Sequence, residues 1–575
     1  MQFAAAFGLI RGAFNILVQM GFNHFLAERF QRPAGRDDLH EYIRAIGVGL
    51  DHFFDGLNLA FDPAQADDER PFLQSGTGMF SFHGGTFNTF NQTRHGKMSL
   101  DALWGVGVYG IVFFIHQTLI LLTKKHPAFS SLLFFAALLP VLAEDATNSP
   151  RADQKWNWHV QNTDIVQGYP GFSSKYSGPN TLPAGGEMRE SVSLDVMAGF
   201  RLWRGAEAHL DGLMWQGFGL NNTFGVDGFP NGEAFRLGSG VPNGAITRLF
   251  IRQTIGLGGE QEYIEDDQFT LAGKQDISRL TFTLGRMSAK DIFDNNAYAN
   301  DPRTQFMNWA LMANEAWDYP ADAIGYTTGL AIELNEPNWA LRYGFFQVPR
   351  FSNSLTAEDR IFKWPYDSSA QDGPLLKAWG MVTEFERRYS LNAHPGTIRF
   401  LAYLNRANMG SYQNAVNSPT RPADINATAA FRYKYGFGLN LEQEIAKNLG
   451  VFSRVGWSDG QNQAWVFSDV DYTVTAGISI RGEAWRRPED TFGLAGVFNG
   501  ISKVHQEFLA AGGTGILAGD GNLNYGWEKI LETYYDFKIW KTVHGTLDYQ
   551  FISDPAFNRD RGPVAVFAAR LHCDY

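Results

Sequence analysis

The sequence predicts an all-β fold: a transmembrane antiparallel β-barrel of the outer-membrane type. Three observations support this prediction. Apolar and polar residues alternate with period two after residue 144, a secretory signal pattern precedes these segments, and the chain ends on an alternating stretch with a terminal aromatic residue. Because every backbone polar group in lipid has to be hydrogen-bonded within the protein, a membrane-spanning sheet has to close on itself.

The composition fits such a barrel. The chain has 575 residues, of which 44% are hydrophobic, 14% are aromatic and 61 are glycine. A mean hydropathy of −0.23 is too low for a bundle of membrane helices but suits a barrel, in which only alternate residues face lipid. The net charge of −12 argues against a nucleic-acid partner. The single cysteine, Cys573, excludes an intramolecular disulfide and a cysteine-based zinc site.

Residues 122–143 have the three-part pattern of a signal peptide. Two lysines precede an apolar stretch at 129–139, and Val141-Leu142-Ala143 offers a cleavable end. Export followed by a barrel places the protein in the outer membrane of a Gram-negative bacterium, as an integral multi-pass protein. We expect a short periplasmic or N-terminal segment at 144–165 and the barrel domain at 166–575.

The first 121 residues show no clear repeat or motif. One alternative is a genuine extension with a transmembrane helix, because 103–122 is long and apolar enough to span a bilayer. The other is a translation start assigned too early. We favour the second, because the export machinery would recognise poorly a signal that lies behind a long unrelated segment. A peptide recovered from 1–121 would refute it.

The predicted strands alternate strictly between two faces. In 431–443, for example, Tyr433, Tyr435 and Phe437 share one face, whereas Arg432 and Lys434 lie on the other. Similar alternation occurs in 246–257, 277–285, 338–346, 397–405 and 471–485. Turn signals fall at 231–232, 243–244, 394–396, 459–460, 499–500 and 520–521. A soluble sandwich would show the same period, but the aromatic crowding of the apolar faces and the preceding signal favour a membrane barrel.

The C-terminus has the form of an outer-membrane assembly signal. Apolar residues precede Tyr575 at every second position back to Ala565, while Arg570 and His572 belong to the opposite set. In such barrels the last strand pairs with the first, and its end is recognised during insertion. We therefore expect the outer-membrane assembly machinery and the outer-membrane lipid to be partners of this chain.

Several stretches of the second half resemble the OprB-type carbohydrate-selective porin family. They include GRMSAKDIFDNNAYANDPRTQFMNWAL at 285–311, FGLNLEQEIAKNLGVFSRVGWSDG at 437–460 and RGEAWRRPEDTFGLAGVFNGIS at 481–502. Further similar blocks lie at 156–182, 519–539 and 548–564. The resemblance covers about residues 155–575 and none of 1–121. It implies a barrel of about 16 strands, inward-folded loops that form a constriction, and passive diffusion of glucose-like sugars.

Alternation also nominates residues that face the lumen. A sugar is a neutral polyol, so its selection needs planar donors and acceptors rather than net charge alone. The substrate-binding candidates on polar faces are Arg248, Arg252, Arg342, Glu384, Glu386, Arg388, Arg399 and Arg432. The alternative is that these residues form structural ion pairs that brace the barrel wall.

The segment 290–306 is rich in carboxylates and amides. Its pattern lacks the glycine and the terminal glutamate of a calcium loop, so we interpret it as an inward or extracellular loop held by hydrogen bonds. The sequence predicts no metal, no cofactor and no catalytic residue.

Three other functions remain alternatives at this stage. A general diffusion porin would share the fold but lack sugar selectivity. A hydrolase would need a nucleophile with its base, but no GxSxG or HExxH occurs. An energy-coupled receptor would need a plug domain much longer than 144–190.

Overall fold

The computed structural model describes residues 153–234, 238–349, 351–352, 354, 363–364 and 377–575. The predicted signal peptide at 122–143, the first 121 residues and the alternative transmembrane helix at 103–122 all fall outside these residues. Among the described residues, no helix has the length and apolar character needed to cross a membrane.

Nineteen strands are formed in the described part of the chain, and sixteen of them build the barrel. The barrel strands are β1 (Trp156–Pro170), β2 (Gly186–Trp203), β3 (Ala206–Gly217), β4 (Ser239–Gly256), β7 (Arg279–Met287), β8 (Thr327–Glu336), β9 (Trp339–Gln347), β11 (Trp379–Leu391), β12 (His394–Met409), β13 (Ala430–Ala446), β14 (Leu449–Ser458), β15 (Tyr472–Gly482), β16 (Arg487–Gly500), β17 (Glu528–Trp540), β18 (Val543–Ser553) and β19 (Val564–Asp574). The other three are β5 (Gln261–Ile264), β6 (Gly273–Asp276) and β10 (Lys363–Trp364).

The barrel is closed and antiparallel throughout. Each barrel strand pairs with its neighbours in chain order, and β19 returns to pair with β1 from Gln161↔Asp574 to Gly168↔Phe567. Strands β5 and β6 form a separate hairpin, and β10 adds a short pairing to β4. The predicted fold class of about 16 strands is therefore confirmed.

The two ends of the barrel differ in their connections. At one end, which we call the turn end, six connections have two to four residues and one, at 257–278, has 22. At the other, the loop end, long connections carry the short helices α1 (Trp309–Met312), α2 (Tyr412–Asn417) and α3 (Lys503–Ala510). Single 3-10 turns occur at Leu220–Thr223, Ala289–Asp291, Asn426–Thr428, Glu483–Trp485 and Pro555–Phe557.

The predicted alternation matches the two faces of the wall. Along β13 the exposed outward residues are Phe431, Tyr433, Tyr435, Phe437 and Leu439. Between them, Lys434 and Asn440 are only 2% and 3% exposed because they point into a lumen filled by loops. The buried core therefore lies inside the barrel, whereas the outside is an apolar surface suited to lipid.

The first strand begins ten residues before the boundary at 166 that the sequence predicted. β1 pairs with β2 from Trp156 to Pro170. The alternation is hard to detect here because Asn162 and Asp164 occupy outward positions that are apolar in other strands. Hydrogen-bonded pairing with β2 and β19, rather than a local apolar pattern, defines this strand.

Three predicted turns are wrong. Asn499-Gly500 forms the paired end of β16, opposite Thr473 and Tyr472 of β15. Asn243-Gly244 lies inside β4, which runs through it with irregular register against β3. The His-Pro-Gly signal at 394–396 belongs to the start of β12, and the turn itself is Asn392-Ala393, with φ of 52° and 66°. A two-residue hairpin turn needs positive φ, and here an alanine adopts it beside an asparagine.

Candidate functional site

The lumen is narrowed by the 39-residue connection 288–326 between β7 and β8, which we call the constriction loop. It starts with a capping box in which the Ser288 side chain accepts from the Lys290 N–H and the Asp291 carboxylate accepts from the Ser288 N–H. From there the loop crosses the barrel instead of extending away from it. This matches the sequence-based interpretation of 290–306 as a loop held by hydrogen bonds.

Arg454 of β14 holds the middle of the constriction loop. Its guanidinium is fully buried and donates to the Asp294 carboxylate (3.1 Å). It also donates to three backbone carbonyls of the loop, those of Asp294 (3.1 Å), Ala299 (2.7 Å) and Leu311 (2.8 Å). Asn440 of β13 adds a 2.7 Å bond to the same carboxylate. One inward arginine thus satisfies carbonyls that the irregular loop backbone leaves without partners.

A second anchor, on β17, holds the loop at Met307 and Asn308. The Glu532 carboxylate accepts from the backbone N–H groups of Met307 (2.6 Å) and Asn308 (3.0 Å). The Asn308 side chain then donates to Gly228 O (2.8 Å) and Gln550 Oε1 (2.9 Å), and its oxygen caps α1. The loop is therefore fixed to β13 and β14 by one anchor and to β17 and β18 by the other, so its inward side chains have defined positions.

Beside this loop lies a cavity of about 370 Å³ whose polar lining is made of paired charges. Arg248 makes a bidentate pair with Asp291 (two bonds of 2.8 Å) and donates to Asp211 at 2.6 Å. Arg252 donates to Glu207 at 3.1 Å, and Arg303 of the loop contacts Glu233 at 3.1 Å. Each of these cations is thus paired with a carboxylate, either in the cavity lining (Asp291 and Glu233) or directly behind it (Asp211 and Glu207).

The loop-end side of the cavity is aromatic. Phe229 and Trp309 stack with ring centroids 5.0 Å apart, and Phe467 lies 4.8 Å from Trp309 and 4.7 Å from Tyr319. All four line the cavity. We call them the aromatic cluster. It presents apolar ring surface opposite the arginine pairs.

The eight predicted lumen residues all lie on the inner side of the wall, but they separate into groups. Arg248 and Arg252 line the cavity. Five others form an ion-pair cluster along β9, β11 and β12: Arg342, Glu384, Glu386, Arg388 and Arg399. Arg432 donates to Thr428 O at 3.1 Å near the loop end.

The ion-pair cluster connects its members across three strands and reaches Glu333 and Glu442 beside it. Arg342 contacts Glu384 at 2.8 Å and Glu386 at 2.9 Å, and Arg399 donates to Glu386 at 2.9 Å. Glu384 also accepts from the Asp294 N–H at 2.7 Å, which joins the cluster to the constriction loop. The register around Glu384 agrees with the alternation, since Phe385 is exposed on the outer face.

Sequence reasoning did not nominate several residues that line the cavity. Arg303 and Lys290 lie in the carboxylate-rich loop segment but were not proposed as binding residues, and the aromatic cluster was not identified. The available signal was the family-like stretch 285–311, which contains Arg303 and Trp309, but its inward course cannot be inferred from the local sequence pattern. No group of three metal-ligating side chains is placed to hold an ion anywhere in the described residues.

Lys290 gives the site a pH dependence that can be measured. Its ammonium contacts Asp294 O (3.0 Å) and Asn300 Oδ1 (3.2 Å), and it lines the cavity. Burial lowers its pKa to about 8, although Asp294 opposes the shift. The lysine is therefore charged at pH 7 and largely neutral at pH 9. We expect the chloride-to-potassium permeability ratio to fall as the pH rises from 7 to 9.

Reversal potentials in a KCl gradient test this expectation. Lys290→Met removes the titrating group and is expected to show a flat ratio over the same pH range. If the variant keeps the slope of the unaltered protein, another group titrates and Lys290 is not the cause.

A closed sixteen-strand barrel whose lumen is narrowed by an inward loop has the architecture of a diffusion porin, with short periplasmic turns and long extracellular loops. The turn end is thus periplasmic. The chain belongs to the carbohydrate-selective porins of the OprB family, whose model matches residues 180–575. The resemblance seen in the sequence is therefore confirmed. The protein is a Gram-negative outer-membrane channel for carbohydrates rather than an enzyme.

One solved structure supports the fold, and two others are less similar. The high-pH structure of Pseudomonas putida OprB matches with a TM-score of 0.55 and 16% identity, covering 73% of this chain and 94% of that chain. The low-pH structure of the same protein gives a TM-score of 0.39 at 13% identity, covering 73% and 93%. Pseudomonas aeruginosa OccK2 (OpdF) gives 0.35 at 8% identity, covering 74% and 98%. No protein of curated function is detectably similar to the chain.

Proposed function

We propose that glucose-like monosaccharides diffuse passively through the cavity beside the constriction loop, and that Arg248, Arg252 and Arg303 bind their hydroxyl groups. The observation that carries this proposal is the joint lining of one cavity of about 370 Å³ by these three arginines and by the aromatic cluster. A cavity of this size lies in the range of small-molecule sites. No energy source is needed.

The chemistry of the lining suits a neutral polyol. Each arginine presents several donors in a fixed plane, and the partner carboxylates in the lining, Asp291 and Glu233, keep lone pairs available as acceptors. Because the charges are paired, the lining offers directional hydrogen bonds without a strong net field. The aromatic cluster provides a surface against which the C–H face of a pyranose ring can pack.

The other six predicted lumen residues have a different role in this proposal. None of them lines the cavity, and five of them form the ion-pair cluster. We infer that they brace β9, β11 and β12 and, through Glu384, hold the constriction loop.

The variant Arg248→Lys tests the binding role directly. Lysine keeps the positive charge but loses the planar fork, so one charge-assisted hydrogen bond to the sugar is lost. We expect the apparent sugar affinity to fall about tenfold, which corresponds to about 1.4 kcal/mol. The measurement is the titration of single-channel current with glucose in planar bilayers.

Arg388→Lys is the matched control for this experiment. Arg388 lies on the same inner face but contacts Glu386, Asn335 and the Trp339 carbonyl rather than the cavity. We expect its sugar affinity to stay within twofold of the unaltered protein. An equal loss in both variants would assign sugar binding to the whole wall. No block in any form of the protein would support the runner-up, a general porin without sugar selectivity.

We also propose two partners that follow from the outer surface and the last strand. The exposed aromatic and aliphatic residues of the outer wall form an apolar surface that fits outer-membrane lipid. The alternating end of β19 with Tyr575 fits the signal that the assembly machinery recognises.

Uptake that survives dissipation of the proton motive force would support a passive channel over an energy-coupled receptor.

A further inference from the structure

One turn-end connection of the barrel differs from the other six in the described residues. Residues 257–278, which contain the β5–β6 hairpin, are 22 residues long, whereas the others have two to four. Strands β5 and β6 pair from Gln261↔Asp276 to Ile264↔Gly273. The tip of this hairpin, residues 265–272, does not extend away from the barrel but folds into the lumen.

Hydrogen bonds to inward residues of β1 hold the tip in place. The Asn157 side chain donates to Asp266 Oδ1 (2.8 Å), Asp267 O (3.0 Å) and Thr270 O (3.3 Å). Gln268 donates from Nε2 to Gln161 Oε1 at 3.0 Å. These contacts satisfy the tip backbone, so the inward position is a defined conformation.

Strands β3 and β4 hold the tip as well. Arg252 donates to Phe269 O at 2.7 Å, and the Leu271 N–H donates to the Glu207 carboxylate at 3.3 Å. Both wall residues also form the Arg252–Glu207 pair of the cavity. The tip is thereby linked to the proposed sugar site.

Phe269 at the tip reaches the cavity itself. Its ring centroid lies 4.3 Å from the Arg248 guanidinium carbon and 6.4 Å from the ring of Phe250. Its neighbours Asp267, Gln268 and Thr270 line the same cavity. Phe269 thus reaches the cavity from a turn-end connection, whereas the members of the aromatic cluster reach it from loop-end connections.

We propose that the β5–β6 hairpin is the periplasmic half of the constriction and that Phe269 is a specificity-determining residue that sets the size of solute able to leave the cavity. A monosaccharide passes between Phe269 and the constriction loop with its C–H face against the ring. A trisaccharide has to bring more than one ring past this point and is retarded. This inference rests on the proposed function only in taking the cavity as the solute path.

The test compares swelling rates of proteoliposomes in a monosaccharide and in a trisaccharide. Phe269→Ala is expected to raise the trisaccharide-to-monosaccharide ratio several-fold and to increase single-channel conductance. Phe269→Tyr keeps a ring of similar size, so its trisaccharide-to-monosaccharide ratio is expected to equal that of the unaltered protein. His544→Ala is the control, because His544 of β18 is a ring residue outside the constriction loop that lines a separate turn-end cavity of about 620 Å³.

The outcomes distinguish this proposal from the function itself. An unchanged ratio and conductance in Phe269→Ala would overturn the role of the hairpin, even if Arg248→Lys weakens glucose block as expected. An equal change in His544→Ala would also overturn it, because any ring residue in the lumen would then have the same effect. If glucose does not block the unaltered channel, the proposed sugar site fails, but the swelling ratio still decides the role of Phe269.

Discussion

Replacing Arg454 with methionine is expected to release the constriction loop and to give an open, poorly selective channel. The variant keeps an apolar stem of similar length but loses the bonds to Asp294, Ala299 and Leu311. The buried Asp294 carboxylate then keeps Lys290 and Asn440 but loses its closest arginine. Breaking a buried pair in this way destabilises a structure by about 3–5 kcal/mol.

We expect this loss to fall on the loop rather than on the barrel. Main-chain hydrogen bonds between all sixteen strands hold the barrel wall together. The side chain of Arg454 takes no part in these bonds. Single-channel conductance should rise several-fold and glucose block should disappear, while the heat-modifiable mobility of the folded barrel on gels persists.

Arg481→Met is the control for Arg454→Met. Arg481 lies on the neighbouring strand β15 and lines the separate turn-end cavity. Its conductance and glucose block should match those of the unaltered protein. A folded Arg454→Met barrel with normal conductance would show that the other loop anchors suffice and that Arg454 is not the main one.

Deleting Tyr575 is expected to reduce the amount of assembled protein in the outer membrane severely. The Tyr575 N–H donates to Val160 O at 2.9 Å, the Val160 N–H donates to Tyr575 O at 2.8 Å, and the Tyr575 ring lies 5.1 Å from that of Trp158. The terminal residue thus forms the last pair of the seam between β19 and β1. Its contacts amount to only a few kcal/mol, which a barrel of this size should survive.

Two substitutions separate recognition from stability at the same position. Tyr575→Phe keeps the ring and the main-chain bonds, and its assembly should be normal. Tyr575→Ala keeps only the main-chain bonds, so a strong assembly defect would point to recognition of the aromatic ring. Normal membrane levels of the deletion variant would show that the end of β19 is an ordinary strand end.

The sequence predicted the barrel wall well because lipid-facing and lumen-facing residues alternate, and this alternation is visible within each short segment. In 431–443 the predicted outward and inward faces agree residue by residue with β13. The start of β1 was misjudged for the opposite reason, since Asn162 and Asp164 interrupt the apolar face and only pairing with distant strands reveals the strand.

The candidate site was only partly predictable. Arg248 and Arg252 follow from their shared face on one strand, and both line the cavity. Arg303, Trp309 and Phe269 reach it from loops whose inward course depends on contacts between residues far apart in the chain, such as Arg454 with Ala299. Alternation carries no information about such contacts.

The most direct test of the account is the titration of single-channel current with glucose and, in parallel, with sorbitol, an open-chain polyol of similar size. We expect glucose to reduce the current along a saturating curve, because its ring packs on aromatic residues while arginines bind its hydroxyl groups. Sorbitol, which has no ring face, should block much more weakly. Equal and non-saturating effects of the two solutes would contradict a selective sugar site in this channel.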